Sequence, residues 1–171
     1  MDLEQRYKAA KKIHALAREY RGSLLNSAAC IEAELSDLIG EYFCPDPDRR
    51  ARLDAHVIQT GMFTLDRKLQ ILKTIVREDY PRRWAEDAEI WQRFARVTKL
   101  RNGLAHSRVD TSAEALARPL TEGIGFEKYE NGKPITAGRF NEFEVDACMI
   151  LSYLREMHVL IPYKEHPLQD P

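Results

Sequence analysis

Apolar residues recur every three or four positions at Ile13, Ala17, Tyr20, Leu24, Ala28, Ile31, Leu35, Leu38 and Tyr42. That spacing holds successive side chains on one face of a 3.6-residue turn and predicts an amphipathic helix, with Gly22-Ser23 as a point where it breaks in two. Cys44-Pro45-Asp46-Pro47-Asp48 stops the segment, because proline removes a donor and drives its predecessor out of helical geometry. A second stripe, Ile58, Met62, Leu65, Leu69, Leu72 and Val76, runs to Tyr80-Pro81 and leaves Arg67, Lys68 and Lys73 on the other face. A third starts near Glu86 and carries Ile90, Phe94, Val97, Leu100 and Leu104.

The pattern then changes. Ile124 to Glu130, Asn131-Gly132, and Lys133 to Phe140 predict a β-hairpin, since Asn-Gly readily supplies the two positive φ angles of a type I′ turn. Pro134 and Gly138 make its return strand exposed or irregular. Asn141 with Glu144 forms a capping box for a last helix, whose stripe is Phe143, Ala147, Ile150, Leu154, Met157 and Ile161, with Pro162 ending it. The expectation is a mainly α protein, an antiparallel bundle of four to five helices with one small β-hairpin before the C-terminal helix. Residues 1–163 form one domain, the hairpin is an insertion at about 122–140, and 164–171 form a flexible tail. Spare apolar surface favours a dimer.

Composition narrows the function classes. At 171 residues the chain can bury a core without disulfides or structural metal. A net charge of −1 excludes a general nucleic-acid coat, so any such contact is local. Cys30, Cys44 and Cys148 are odd in number and widely spaced, which argues for reduced thiols rather than a disulfide framework or zinc site. The charged N-terminal residues carry no apolar signal core and no run reaches membrane-spanning length, so a soluble, cytoplasmic protein with no membrane contact is expected. No cofactor or metal is expected, and His14, His56, His158 and His166 read as surface or boundary residues without ligand spacing.

Arg101-Asn102-Gly103-Leu104-Ala105-His106 lies at the C-terminal end of the third helix. It sets a permanent cation, an amide and an imidazole close together, groups suited to a phosphodiester. From Ile90 to Val109 the charged residues are Arg93, Arg96, Lys99, Arg101 and Arg108, with no acid among them. Individually these cations, like Lys68, read as solvated face; their shared sign is the informative point. Glu32, Glu34, Asp37 and Glu41 read as a solvated acidic face or as partners for the basic window across an interface. In an ideal helix, five steps of about 100° leave Arg101 and His106 about 140° apart, so the helix must end, deform or meet a partner. Gly103 eases each of these through its freedom and small size. The structural alternative makes Arg101 and His106 a helix-end cap.

The six residues resemble the Arg-x(4–6)-His signature, in its Arg-Asn-x-x-Ala-His form, of the HEPN (higher eukaryotes and prokaryotes nucleotide-binding) superfamily. The acidic stretch from Ile31 to Phe43 and the segment from Phe63 to Ile75 resemble the helices that precede the motif there, so the likeness covers roughly residues 25 to 110. The hairpin is outside the common pattern. The resemblance implies a helical, metal-independent endoribonuclease that works as a homodimer with a composite active site, in the role of a toxin or defence effector. It implies Arg101, Asn102 and His106 as catalytic, and Arg96, Lys99, Ser107 and Arg108 as RNA or phosphate contacts. Transesterification needs a base, an acid and positive charge on the phosphorane. One chain supplies one suitable imidazole, and a two-fold dimer supplies the second. An antitoxin or other protein partner is implied too, although Arg108 stands where one toxin branch carries the tyrosine that receives nucleotide. Other members keep the fold for nucleotide, RNA or protein binding, or as assembly subunits, without catalysis.

Overall fold

The computed structural model of the chain describes residues 1–127 and 129–161. It is mainly helical, with seven α-helices among the described residues. They are α1 (Leu3–Phe43), α2 (Pro47–Leu53), α3 (Leu65–Asp79), α4 (Pro81–Glu86), α5 (Ala88–His106), α6 (Ala113–Ala117) and α7 (Ala137–Leu160). No described helix is long and apolar enough to cross a membrane. The described residues pack as two compact units, the first drawn from Met1–Ala28 and Ala95–Ala147, the second from Ala29–Phe94 and the described residues from Cys148 to Ile161.

In the first unit, Ile13, Ala17, Tyr20 and Leu24 of α1 are buried, as are Val97, Leu100 and Leu104 of α5 and Phe140 and Phe143 of α7. Tyr20 stacks flat on Phe140 with centroids 4.1 Å apart. In the second unit the core draws on Ile31, Leu35 and Leu38 of α1, Leu69, Leu72 and Val76 of α3, and Ile150, Leu154 and Met157 of α7. Apart from Phe140, which the sequence pattern puts in the hairpin, each set repeats a stripe read from the sequence, since apolar area removed from water is the main term favouring these faces.

Local chemistry departs from expectation at several points. α1 is unbroken across Gly22-Ser23, because Gly22 is exposed with no neighbouring atom that would make its missing side chain matter. α2 follows the proline-rich stop at once: the Asp46 side chain accepts from the Arg49 amide and Pro47 takes the first turn, where its missing donor costs nothing. Met62 is exposed rather than part of the second stripe, for Thr64 caps α3 and the helix begins at Leu65. The last helix starts four residues before the expected box. There Thr136 Oγ1 accepts from the Arg139 amide at 3.2 Å, while Glu144 takes the Ser23 hydroxyl at 2.9 Å. Pro162 and the tail at 164–171 lie outside the described residues.

Among the described residues the expected β-hairpin does not form. Ile124 and Ile135 exchange two backbone hydrogen bonds, 3.1 and 2.8 Å, as a single antiparallel bridge. No ladder extends from it, because the next residues pair elsewhere: the Asp110 amide donates to Gly125 O and the Glu127 amide to Arg108 O, both at 2.9 Å. Pro134 has no amide to add. Asn131 and Gly132 do take positive φ, 60° and 78°, but Glu130 joins them at 43° and the three form a 3₁₀ turn in place of a two-residue link.

Charges in the second unit are less solvated than their sequence implies. Lys68 is buried, since it falls between Leu65 and Leu72 on the packed stripe of α3, and its ammonium meets Glu32 at 2.8 Å. Asp37 pairs with Arg50 at 3.2 Å, and His158 lies between Glu34 (3.2 Å) and Glu41 (2.8 Å). Glu32, Glu34, Asp37 and Glu41 of α1 are therefore met by cations and an imidazole of their own chain.

Tyr42 donates its hydroxyl to the Asp79 carboxylate. That bond, then partial burial, pushes the phenol up to about 12 from its ordinary 10. The folded state prefers the protonated phenol, so this contribution is complete below pH 10 and is lost as pH rises through 12. Tyr42→Phe should lower the unfolding free energy by about 1–2 kcal/mol at pH 8. In urea titrations the gap between the two proteins should narrow at pH 11; a gap of constant size would contradict the assignment.

Candidate functional site

The motif occupies the last turns of α5, within the first unit. Val97, Leu100 and Leu104 bury one side of the helix, which fixes what the other side presents. Lys99, Asn102, Ala105 and His106 are exposed and Arg101 is half-buried at the margin. Lys99, Asn102 and His106 are spaced three and four apart and share a face. Arg101 lies off that face, and its Nη1 donates to Asn102 Oδ1 at 3.0 Å. The helix runs through Gly103 without a break and ends at His106.

What ends it is a cap from α1. Arg21 Nη2 donates to the Ser107 carbonyl, and its guanidinium lies 5.1 Å from the centre of the buried Phe126 ring. Ser107 is itself buried, and its hydroxyl donates to the Gly103 carbonyl. The last carbonyls of a helix lack intrahelical donors. Here an arginine and a serine supply donors to two of the carbonyls at this end, those of Ser107 and Gly103. Val109 then bridges to Phe126, taking the chain away in extended form. His106 has no recorded hydrogen bond or ion pair among the described residues, and its ring stays exposed. Ser107 therefore spends its hydroxyl inside the helix end in this conformation.

Gly103 serves a neighbour from its own chain. A Cβ there would collide with the ring of Tyr129, which is buried against the helix. Burial first, and then the adjacent Glu130, raises the Tyr129 phenol above its ordinary value, while Arg139 opposes the rise through charge and a hydrogen bond. The ring also closes one side of a hollow of about 120 Å³ that Arg96, Lys99, Arg139, Glu142 and Asp146 help to line.

The basic window is acid-free along the chain but not in space. Arg96 forms a two-pronged bridge to the buried Asp146, at 2.6 and 2.8 Å. Lys99 meets Glu130 at 2.8 Å, and their hydrogen bond, the largest cause in each case, raises the lysine and lowers the carboxyl from their ordinary values. Arg93 pairs with Glu89 one turn back. Arg108 is exposed and has no recorded ion pair among the described residues. Of the expected site residues, the structure presents Asn102, His106 and Arg108 to solvent with Arg101 beside them, and engages Arg96, Lys99 and Ser107 in contacts within the chain.

Arg21, Tyr129 and Asp146 escape a reading of the sequence alone. Arg21 lies 86 positions from the carbonyl it caps, and no local spacing links the two. Among the described residues, no group of three or more histidine, cysteine or acidic side chains is arranged to hold a metal ion. The cysteines are unpaired thiols, two of them exposed. No protein-family model, curated protein or solved structure matches the chain.

Gly103→Ala should destabilise the protein by about 1–3 kcal/mol, because the Tyr129 ring is buried and has little room to retreat. In a Tyr129→Ala background the same change should become stabilising by up to about 1 kcal/mol, through helix propensity alone. Thermal denaturation of the four proteins tests this, and an unchanged sign would place the ring elsewhere.

Proposed function

We propose that this chain is a HEPN-type, metal-independent endoribonuclease acting in the cytoplasm, in which two copies bring their motif ends together. The reading is supported by one observation: His106 and Asn102 are offered to solvent at a helix end where Arg21 and Ser107 already donate to two carbonyls, those of Ser107 and Gly103. A histidine kept for capping would face those carbonyls. Capping by other groups leaves the imidazole free for chemistry.

In the proposed reaction one His106 takes the proton of a ribose 2′-hydroxyl. The 2′-oxygen forms a bond to phosphorus, the bond from phosphorus to the 5′-oxygen breaks, and the second copy's His106 protonates that leaving oxygen. The products are a 2′,3′-cyclic phosphate and a 5′-hydroxyl. Arg101 stabilises the charge on the phosphorane, through a planar fork suited to two oxygens. Asn102 holds the guanidinium in place. Arg108 meets a flanking phosphate, and Lys99, whose pair with Glu130 is exposed, can exchange the carboxylate for one. Arg96 and Ser107 act from behind, through the Asp146 bridge and the helix-end bond. The helices are proposed to run as an antiparallel bundle, and a toxin or defence role, with or without an antitoxin, follows from this reading.

Purified protein should cut single-stranded RNA in EDTA. His106→Ala and Arg101→Ala should each lower the rate by about a hundredfold or more while leaving a folded dimer by sedimentation. Because each site needs both histidines, excess His106→Ala protein exchanged into wild type should suppress cutting beyond simple dilution. Full activity in the double variant would sink the assignment, and binding of RNA without turnover would mark the chain as a non-catalytic module.

A further inference from the structure

The N-terminal turns of α1 carry a second basic surface, stronger in sequence than the window on α5. From Gln5 to Arg18 the charged residues are Arg6, Lys8, Lys11, Lys12 and Arg18, with no acid among them. Tyr7, Lys11, His14 and Arg18 are spaced four, three and four apart, so they form one face of the helix, with open space between their side chains. All four are exposed, and the Tyr7 ring is 69% accessible. No hydrogen bond or ion pair is recorded for Lys11, His14 or Arg18 among the described residues, in contrast to Arg96 and Lys99 on α5.

The next position on the same face is Arg21, three residues beyond Arg18, and Arg21 caps the Ser107 carbonyl beside His106. Both ends of this line belong to the first unit. At a rise of 1.5 Å per residue, Tyr7 to Arg21 spans about 21 Å. A solvated basic face needs no exposed aromatic ring on the stripe. A groove for single-stranded nucleic acid uses one, since bases stack on aromatic rings while cations follow the backbone.

We infer that the stripe Tyr7, Lys11, His14 and Arg18 is a binding track for single-stranded RNA that leads the strand toward the motif at the end of α5. The base stacks on Tyr7, Lys11 and Arg18 meet successive phosphates, and His14 lies between them on the strand's path. The inference rests on the nuclease reading for its direction, but the binding it describes is measured without cleavage.

The test uses a fluorescein-labelled 2′-O-methyl oligouridylate of twelve nucleotides, which cannot be cut by attack of the 2′-oxygen, with full-length protein and anisotropy as the readout. Lys11→Gln with Arg18→Gln should weaken binding at least tenfold and reduce the slope of log affinity against log salt by about 1.4, the share of two phosphates on a single strand. Tyr7→Ala should weaken binding by about tenfold with the salt slope unchanged, and Tyr7→Phe should restore it. These positions are exposed on a helix, and unchanged melting curves confirm that folding is intact. Wild-type affinity in the Lys11/Arg18 variant, or equal displacement of the RNA by polyglutamate, would overturn the track. If wild type cuts RNA and the variant binds normally, the track fails and the nuclease stands. If wild type does not cut RNA but binds through the stripe, the nuclease fails and the track stands.

Discussion

The hydrogen bond from Arg21 to the Ser107 carbonyl is the contact on which the site depends. A helix end leaves carbonyls without donors, and the commonest remedies draw on residues close by in sequence. Here the remedy comes from α1, so the end of α5 is fixed by tertiary structure. Phe126 supports the guanidinium from its ring face, and Val109 bridges to the same residue. One aromatic side chain thus supports both the cap and the exit of the chain. His106 is left exposed at the fixed helix end, with no hydrogen bond to its ring nitrogens among the described residues.

The helices were legible in the sequence wherever their periodicity was. A stripe such as Leu65, Leu69, Leu72 and Val76 is a local property, and burial follows it with few departures. Lys68 departs because a long aliphatic stem can share the packed stripe when its ammonium finds a carboxylate, and Glu32 belongs to another helix. The hairpin failed for a related reason. Asn131-Gly132 signals backbone conformation correctly, yet a ladder also needs partners in register, and residues 125–127 found theirs at 108–110.

The candidate site divides along the same line. Arg101, Asn102 and His106 could be picked out because their chemistry is contiguous. The surrounding charge could not be judged from its window, since Asp146 and Glu130 arrive from 50 and 31 positions away. A cation that looks unopposed along the chain is a hypothesis about space. By that measure Lys11 and Arg18 of α1, exposed with no ion pair among the described residues, differ in kind from Arg96, whose charge is spent inside the fold, and from Lys8, which pairs with Glu4 at 2.6 Å.

The notch at Gly103 has a mechanical consequence. Neighbouring residues on a helix point about 100° apart, so only one angular setting of α5 offers the gap left by a missing side chain to the ring of Tyr129. The ring works as a key in a slot, and it indexes the helix about its own axis. Three residues further on, His106 inherits that setting. The helix position that carries the imidazole is thus set in part by a phenol three residues back, together with the buried Val97, Leu100 and Leu104, and a small rolling motion of the helix would be resisted at the notch before it reached the histidine.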